Sequence, residues 1–171
     1  MAKCESTQNG HGKCLIMKIQ LYFVGKMKNS PEKDIFDKYL IRFRKLGHTT
    51  KLSPTKVYEC DESKVYSDKQ LVKFRQLFSR KGVVSVLLDE TGHNISSSNF
   101  AQFLQKSRDN GLSEIIFFVG GAEGVPFKFR GEFNRLISFG KMVWPHMIAR
   151  IMLMEQLYRA SSIIVGSPYH K

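Results

Sequence analysis

Ile115-Ile116-Phe117-Phe118-Val119-Gly120-Gly121-Ala122-Glu123-Gly124 is the stretch whose reading decides the fold. Five consecutive β-branched or aromatic residues, cut off by a glycine pair, carry the signature of a strand buried on both faces. Residues 83–88 repeat that signature between Gly82 and Asp89-Glu90-Thr91-Gly92. Further strands are expected at residues 17–24, near Val57 and Tyr58, and at residues 136–138. Helical patterns lie between them. Ser30-Pro31-Glu32 supplies a cap, a first-turn proline and an early acid, and Ile35, Phe36, Tyr39, Leu40 and Phe43 follow at helical spacing. Ser67-Asp68 opens a second helix with Leu71, Phe74, Leu77 and Phe78 inward. A third runs from about Ser98 to before Gly111, and a fourth from about His146 to Ile164. This alternation predicts an α/β domain with a mostly parallel sheet flanked by helices. Ligands of such sheets bind outside the carboxyl ends of the strands, which directs attention to the loops after Leu88 and Val119.

With 171 residues, 42% of them hydrophobic, the chain suits one compact domain. Residues 1–16 are polar and lack apolar periodicity, so they read as a flexible extension ahead of a single domain over 17–171. No run approaches the roughly 20 apolar residues of a spanning helix, and no secretory h-region is present, so a cytoplasmic protein without membrane association is expected. Cys4, Cys14 and Cys60 form no CxxC pair, and the histidines lack ligand spacing, so reduced thiols and no metal are expected. The net charge of +12 is unevenly spread. Residues 1–81 hold 18 basic against 8 acidic side chains, or +10, whereas residues 82–171 hold 9 against 7, or +2. A basic half suits a phosphate-rich partner such as RNA, and equally a Lys-rich solvated surface.

Three constellations are candidates for chemistry. The glycines of 120–124 would admit a ligand to backbone N–H groups, but they lack P-loop and dinucleotide spacing and read first as a tight strand-to-helix turn. Phe139-Gly140-Lys141-Met142-Val143-Trp144 is an apolar loop before Pro145 that either packs or encloses an adenine-like ring, and spacing does not separate the two. The last helix is apolar around more than one face, which predicts a homodimer. Its few polar residues pair at four-residue spacing: His146 with Arg150, and Glu155 with Arg159 as a structural ion pair. Arg150, buried on this reading, needs a carboxylate, phosphate or carbonyl partner. The terminal Ser167-Pro168-Tyr169-His170-Lys171 reads by itself as a fraying chain end.

Taken together, residues 17–26, Leu88-Asp89-Glu90-Thr91-Gly92, the 120–124 loop, residues 139–145, Arg150 with residues 155–160, and Tyr169-His170-Lys171 resemble the RlmH family of SPOUT-class methyltransferases. The resemblance covers Met17 to the C-terminus and implies a SPOUT-type fold with a C-terminal trefoil knot. It implies S-adenosyl-L-methionine as cofactor, with Leu88, Gly120, Phe139, Gly140, Lys141, Met142, Val143 and Trp144 lining the pocket at a dimer interface. The implied reaction is methylation of N3 of a pseudouridine in helix 69 of 23S rRNA, within the assembled 70S ribosome. His170 is the candidate base, Tyr169 would stack on or orient the uracil, and Arg150 would stabilise charge on its oxygens. Residues 1–16 have no counterpart in the family pattern, Ala122 stands where proline or serine is common, and residues 47–81 match poorly. A SPOUT enzyme with a different RNA target and a non-catalytic ribosome-binding factor are the rival readings. A nucleotide-binding α/β protein is disfavoured by the absent P-loop lysine.

Overall fold

A computed structural model describes residues 16–170; nearly all of the expected N-terminal extension, Cys4, Cys14 and Lys171 lie outside the described residues. Five parallel strands stand in the order β2-β1-β4-β3-β5: β1 (Met17–Val24), β2 (Leu52–Cys60), β3 (Val83–Asn94), β4 (Glu114–Val119) and β5 (Arg135–Ser138). The helices are α1 (Pro31–Thr50), α2 (Asp68–Phe78), α3 (Ser97–Asp109), the single turn α4 (Phe127–Arg130) and α5 (His146–Ile164), followed by a 3-10 turn at Pro168–His170. The expected α/β class is borne out. As expected for a central strand, all six residues of β4 are buried.

Strand parity divides the core into two layers. Met17, Ile19, Leu21 and Phe23 of β1 join Ile115, Phe117 and Val119 of β4 beneath α1, α3 and α5. Ile116 and Phe118 point the other way, toward α2 and α4, where Phe74, Phe129 and Phe133 surround Phe118. Ser30 caps α1 as read from the sequence, its hydroxyl accepting from the Lys33 N–H at 3.4 Å. The α5 limits also match the expectation.

Two strands exceed their expected lengths. β2 spans nine residues instead of a short stretch, because an edge strand tolerates the missing N–H of Pro54 that otherwise reads as a breaker. β3 continues to Asn94 through a register shift: Leu88 and His93 both pair with Ile137, so residues 89–92 bulge outward. Gly92 permits this, since a Cβ there would lie 2.7 Å from backbone atoms of Leu136 and Ile137.

Candidate functional site

Because all strands run parallel, β3, β4 and β5 deliver their carboxyl ends to one crest. The bulge after Leu88, the glycine loop after Val119 and the apolar loop after Ser138 meet there around a cavity of about 700 Å³. Its volume falls within the range of small-molecule clefts.

Each wall has a local cause. Gly120 adjoins Val125 so closely that an added Cβ would stand 2.9 Å from Val125 Cγ2 and 3.0 Å from the Gly124 carbonyl carbon. Glu62 closes on Gly121 in the same way. The loop is drawn together by the Gly124 N–H donating to Gly121 O at 3.1 Å, and Tyr66 Oη holds it from outside by donating to Gly124 O at 3.0 Å. On the opposite wall, Ser138 Oγ donates to Gly140 O at 2.5 Å and accepts from Gly140 N–H at 3.1 Å, which folds the chain back as it leaves β5. Gly140 adopts a φ of 117°, in the region that favours glycine. At the bulge, Asp89 accepts from Thr91 N–H at 3.0 Å and pairs with Arg130 at 3.2 Å, while Arg130 Nε donates to Val125 O at 3.0 Å.

Of the eight residues expected to line a cofactor pocket, Leu88, Gly120, Phe139, Gly140, Met142, Val143 and Trp144 line this cavity; Lys141 is exposed and does not. Sequence reasoning did not assign Asp89, Glu90, Glu123, Arg130 or His146 to the site, and all five line it. Their signal was position alone, immediately beside the three loops. His146 stands in the first turn of α5, and its pKa is held below the ordinary imidazole value by burial and then by the neighbouring Arg150 charge.

Arg150 is fully buried. Its guanidinium donates to Val24 O at the end of β1, approaches Met147 Sδ at 3.4 Å and lies 5.1 Å from the Phe23 ring centroid. Burial lowers its pKa. Of the partners expected for this buried charge, the structure supplies a backbone carbonyl, and Arg150 stands outside the cavity lining.

The C-terminal turn is docked against α5. The Tyr169 ring lies 4.6 Å from that of Tyr158, Tyr169 Oη donates to Glu155 at 3.2 Å, and Arg159 sits 4.8 Å from the Tyr169 centroid. Glu155 also accepts from Arg159 Nε at 2.9 Å, which is the ion pair read from the sequence. Burial, a hydrogen bond with Tyr39 and the nearby Glu155 charge raise the Tyr169 pKa. His170 Nε2 lies 3.4 Å from Ser98 Oγ at the start of α3. The docked Tyr169 overturns the reading of the tail as a fraying end. Glu155 also borders a second cavity of about 470 Å³, together with Tyr39, Ser97, Ile151 and Gln156, which shares Phe139 with the first. One chain therefore brings the seven loop residues together but holds Tyr169 and His170 at a separate place.

A parallel α/β domain with a loop-built cavity at its crest has the layout of a protein that binds a small molecule at its strand ends, and the comparisons with known proteins specify which. A family described as "Predicted SPOUT methyltransferase" matches residues 17–170. A protein of Dinoroseobacter shibae named "Ribosomal RNA large subunit methyltransferase H" is 41% identical over 155 residues, covering 91% of this chain and 99% of the relative. The protein of the same name from Ruegeria pomeroyi is 39% identical over the same coverage. Among solved structures, the SpoU methyltransferase AviRb from Streptomyces viridochromogenes superposes with a TM-score of 0.44 at 14% identity, covering 87% of this chain and 61% of that one. The chain belongs to the SPOUT methyltransferase family, and within it to the group of ribosomal RNA large subunit methyltransferases H. Among the described residues no helix is long and apolar enough to cross a membrane, and no cluster of metal-ligating side chains is present.

Proposed function

We propose that this chain methylates N3 of a pseudouridine in helix 69 of 23S rRNA, using S-adenosyl-L-methionine and taking the assembled 70S ribosome as substrate. The observation that carries the proposal is the convergence of Leu88, Gly120 and the 139–144 loop on one cavity in a chain about 40% identical to enzymes named for large-subunit rRNA methylation. The residues present fit the cofactor. Glycine at 120 lets the loop close against Val125 and Gly124, Phe139, Met142, Val143 and Trp144 offer apolar and aromatic surface to an adenine ring, and Glu90 and Glu123 offer negative charge to a sulfonium. When bound, S-adenosyl-L-methionine supplies an electrophilic methyl group. The family's trefoil knot belongs to the same reading.

The chain's own residues divide the remaining work. N3 must lose its proton as the methyl arrives, and His170 is the assigned acceptor. Tyr169, whose ring is already packed against Tyr158, orients the uracil ring. Arg150 is assigned a positioning role in place of direct contact, tying α5 to the end of β1. A homodimer completes the reading. Met142, Val143, Trp144 and Ile148 are exposed apolar side chains beside the cavity, and Met147, Ile151 and Met152 of α5 are only partly covered. Apposing two such faces would bury them and carry the tail of one copy toward the cavity of the other.

The test is methyl transfer from labelled cofactor to 70S ribosomes, separated subunits and protein-free 23S rRNA from a strain lacking the modification, followed by nucleoside mass spectrometry. Methylpseudouridine formed on assembled ribosomes is the expected result. Cofactor binding without transfer to any of these substrates would move the target elsewhere.

A further inference from the structure

Layering over the sheet is uneven, and the uncovered corner has a definite chemistry. α2 and α4 bury β4 and the end of β1 on their side, but the same face of β1 and β2 emerges at its outer corner. There Gln20 pairs in register with Lys56, Tyr22 with Tyr58, and Lys18 with Glu114 of β4. Lys18 and Lys56 are exposed, and Gln20, Tyr22 and Tyr58 are half-buried. The rings of Tyr22 and Tyr58 stack at 4.5 Å with an interplanar angle of 16°. Tyr22 is the inner member, edge-on to Phe74 of α2 at 5.8 Å, so Tyr58 on the edge strand is the outer one, with Lys56 Nζ 5.0 Å from its centroid.

The roll of α2 brings in a third cation. Phe74 faces the sheet, and Arg75 reaches Glu132, beyond α4, at 2.5 Å. Successive residues of a helix are about 100° apart, so Lys73 lies on the opposite flank, toward β1 and β2, and is exposed. The one carboxylate in register with Lys18, that of Glu114, is already paired with Arg80 at 2.6 Å. The result is a corner that gathers Tyr58, Lys18 and Lys56 of the strands beside the flank of α2 that carries Lys73, in the half of the chain that carries +10. Lysines alone would serve to guard an edge strand. A stacked tyrosine pair beside them does not follow from that need.

We propose that this corner forms a groove between α2 and β2 that docks an unpaired stretch of the ribosomal RNA, with Tyr58 as a stacking platform for a base and Lys18, Lys56 and Lys73 as phosphate contacts. The proposal rests on the reading of the substrate as rRNA and assigns a second contact region, separate from the cavity where methyl transfer is placed. Cations along a groove with an aromatic floor match the chemistry of single-stranded RNA: charge neutralisation along the backbone and base stacking that every nucleotide can supply.

The experiment measures binding of the full chain to protein-free 23S rRNA transcript and to 70S ribosomes across a salt series, with cofactor binding and thermal unfolding confirming intact variants. Tyr58→Ala should weaken binding to both about tenfold while Tyr58→Phe binds like wild type, because stacking requires the ring and not the hydroxyl. Each of Lys56→Gln and Lys73→Gln should lower the slope of log affinity against log salt by about one. Lys45→Gln, on α1 in the opposite layer, should leave it unchanged. Wild-type affinity and slope in the Tyr58→Ala and lysine variants would overturn the proposal. So would losses seen on ribosomes but not on protein-free RNA, which would identify a ribosomal protein as the partner. Groove-dependent binding by a wild-type chain that transfers no methyl would sustain the groove and remove the proposed reaction, and efficient transfer with an unchanged KM in the variants would do the reverse.

Discussion

If the tail of one protomer completes the cavity of the other, two inactive variants should restore activity when mixed. The reasoning starts from distance. His146 borders the large cavity, and Glu155, which receives the Tyr169 hydroxyl at 3.2 Å, follows nine residues later on the same helix. At 1.5 Å per residue these positions are about 13 Å apart along α5. Such a span is too long for Tyr169 or His170 to meet a substrate held at its own chain's cavity without leaving α5. One variant, Gly120→Val, fills the loop where even a Cβ would stand 2.9 Å from Val125; the other, His170→Ala, removes the assigned base. Each homodimer should be inactive. Random exchange at equal concentrations makes half the dimers mixed, and each mixed dimer holds one complete site and one doubly defective site, so about a quarter of wild-type activity should appear. The assay is single-turnover transfer of labelled methyl to ribosomes after co-refolding, with light scattering to confirm dimers. Absence of any recovery in mixtures shown to contain the mixed dimer would refute the cross-subunit arrangement. Full activity of His170→Ala by itself would remove that residue from the chemistry.

Other consequences follow from single contacts. Gly120→Ala, overpacked against Val125 and Gly124, should cost about 1–3 kcal/mol and weaken cofactor binding at least about tenfold; unchanged affinity by calorimetry would place the ligand away from this loop. Arg150→Ala should lower the unfolding free energy in denaturant by about 3 kcal/mol through a cavity and an orphaned Val24 carbonyl; an unchanged midpoint would show that the guanidinium is no strut. His146 has a folded-state pKa below its unfolded value, so its contribution to stability is present above the unfolded pKa and is lost as pH falls through the folded one. Between about pH 7 and about pH 5 the wild type should therefore lose more Tm than His146→Gln, and parallel losses would contradict the assignment. Burial raises the Cys60 thiol to about 11, so alkylation of the native chain at neutral pH should be far slower at Cys60 than in the unfolded chain, and equal rates would indicate an open β2 end.

What the sequence disclosed depended on whether the signal was local. α5 declared its limits because Pro145 and a long apolar run are contiguous, and Ser30 declared α1 because a cap and a first-turn proline sit side by side. The continuation of β3 to Asn94 was hidden, since the bulge at 89–92 exists only because Ile137, more than forty residues later, pairs twice. The Asp89–Arg130 pair is equally remote in sequence. Seven loop residues could be named from motif resemblance, but Lys141 faces solvent because motif membership does not encode side-chain direction. Arg150 was read correctly as a buried charge in need of a partner, whereas the choice of a backbone carbonyl over a substrate oxygen depends on how α5 crosses β1.

The hydrogen bond from Tyr66 to Gly124 joins the segment just before α2 to the loop that forms one wall of the cavity. It bridges 58 residues of chain, from the basic half to the glycine turn. If the methyl donor, by ordering that wall, changes the affinity of the proposed RNA surface beside α2, the linkage is reciprocal and RNA changes the affinity for the donor by the same factor. Tyr66→Phe removes the shared hydroxyl without emptying the space the ring fills beside Phe129, so any such linkage should disappear in that variant while each binding reaction taken alone is retained.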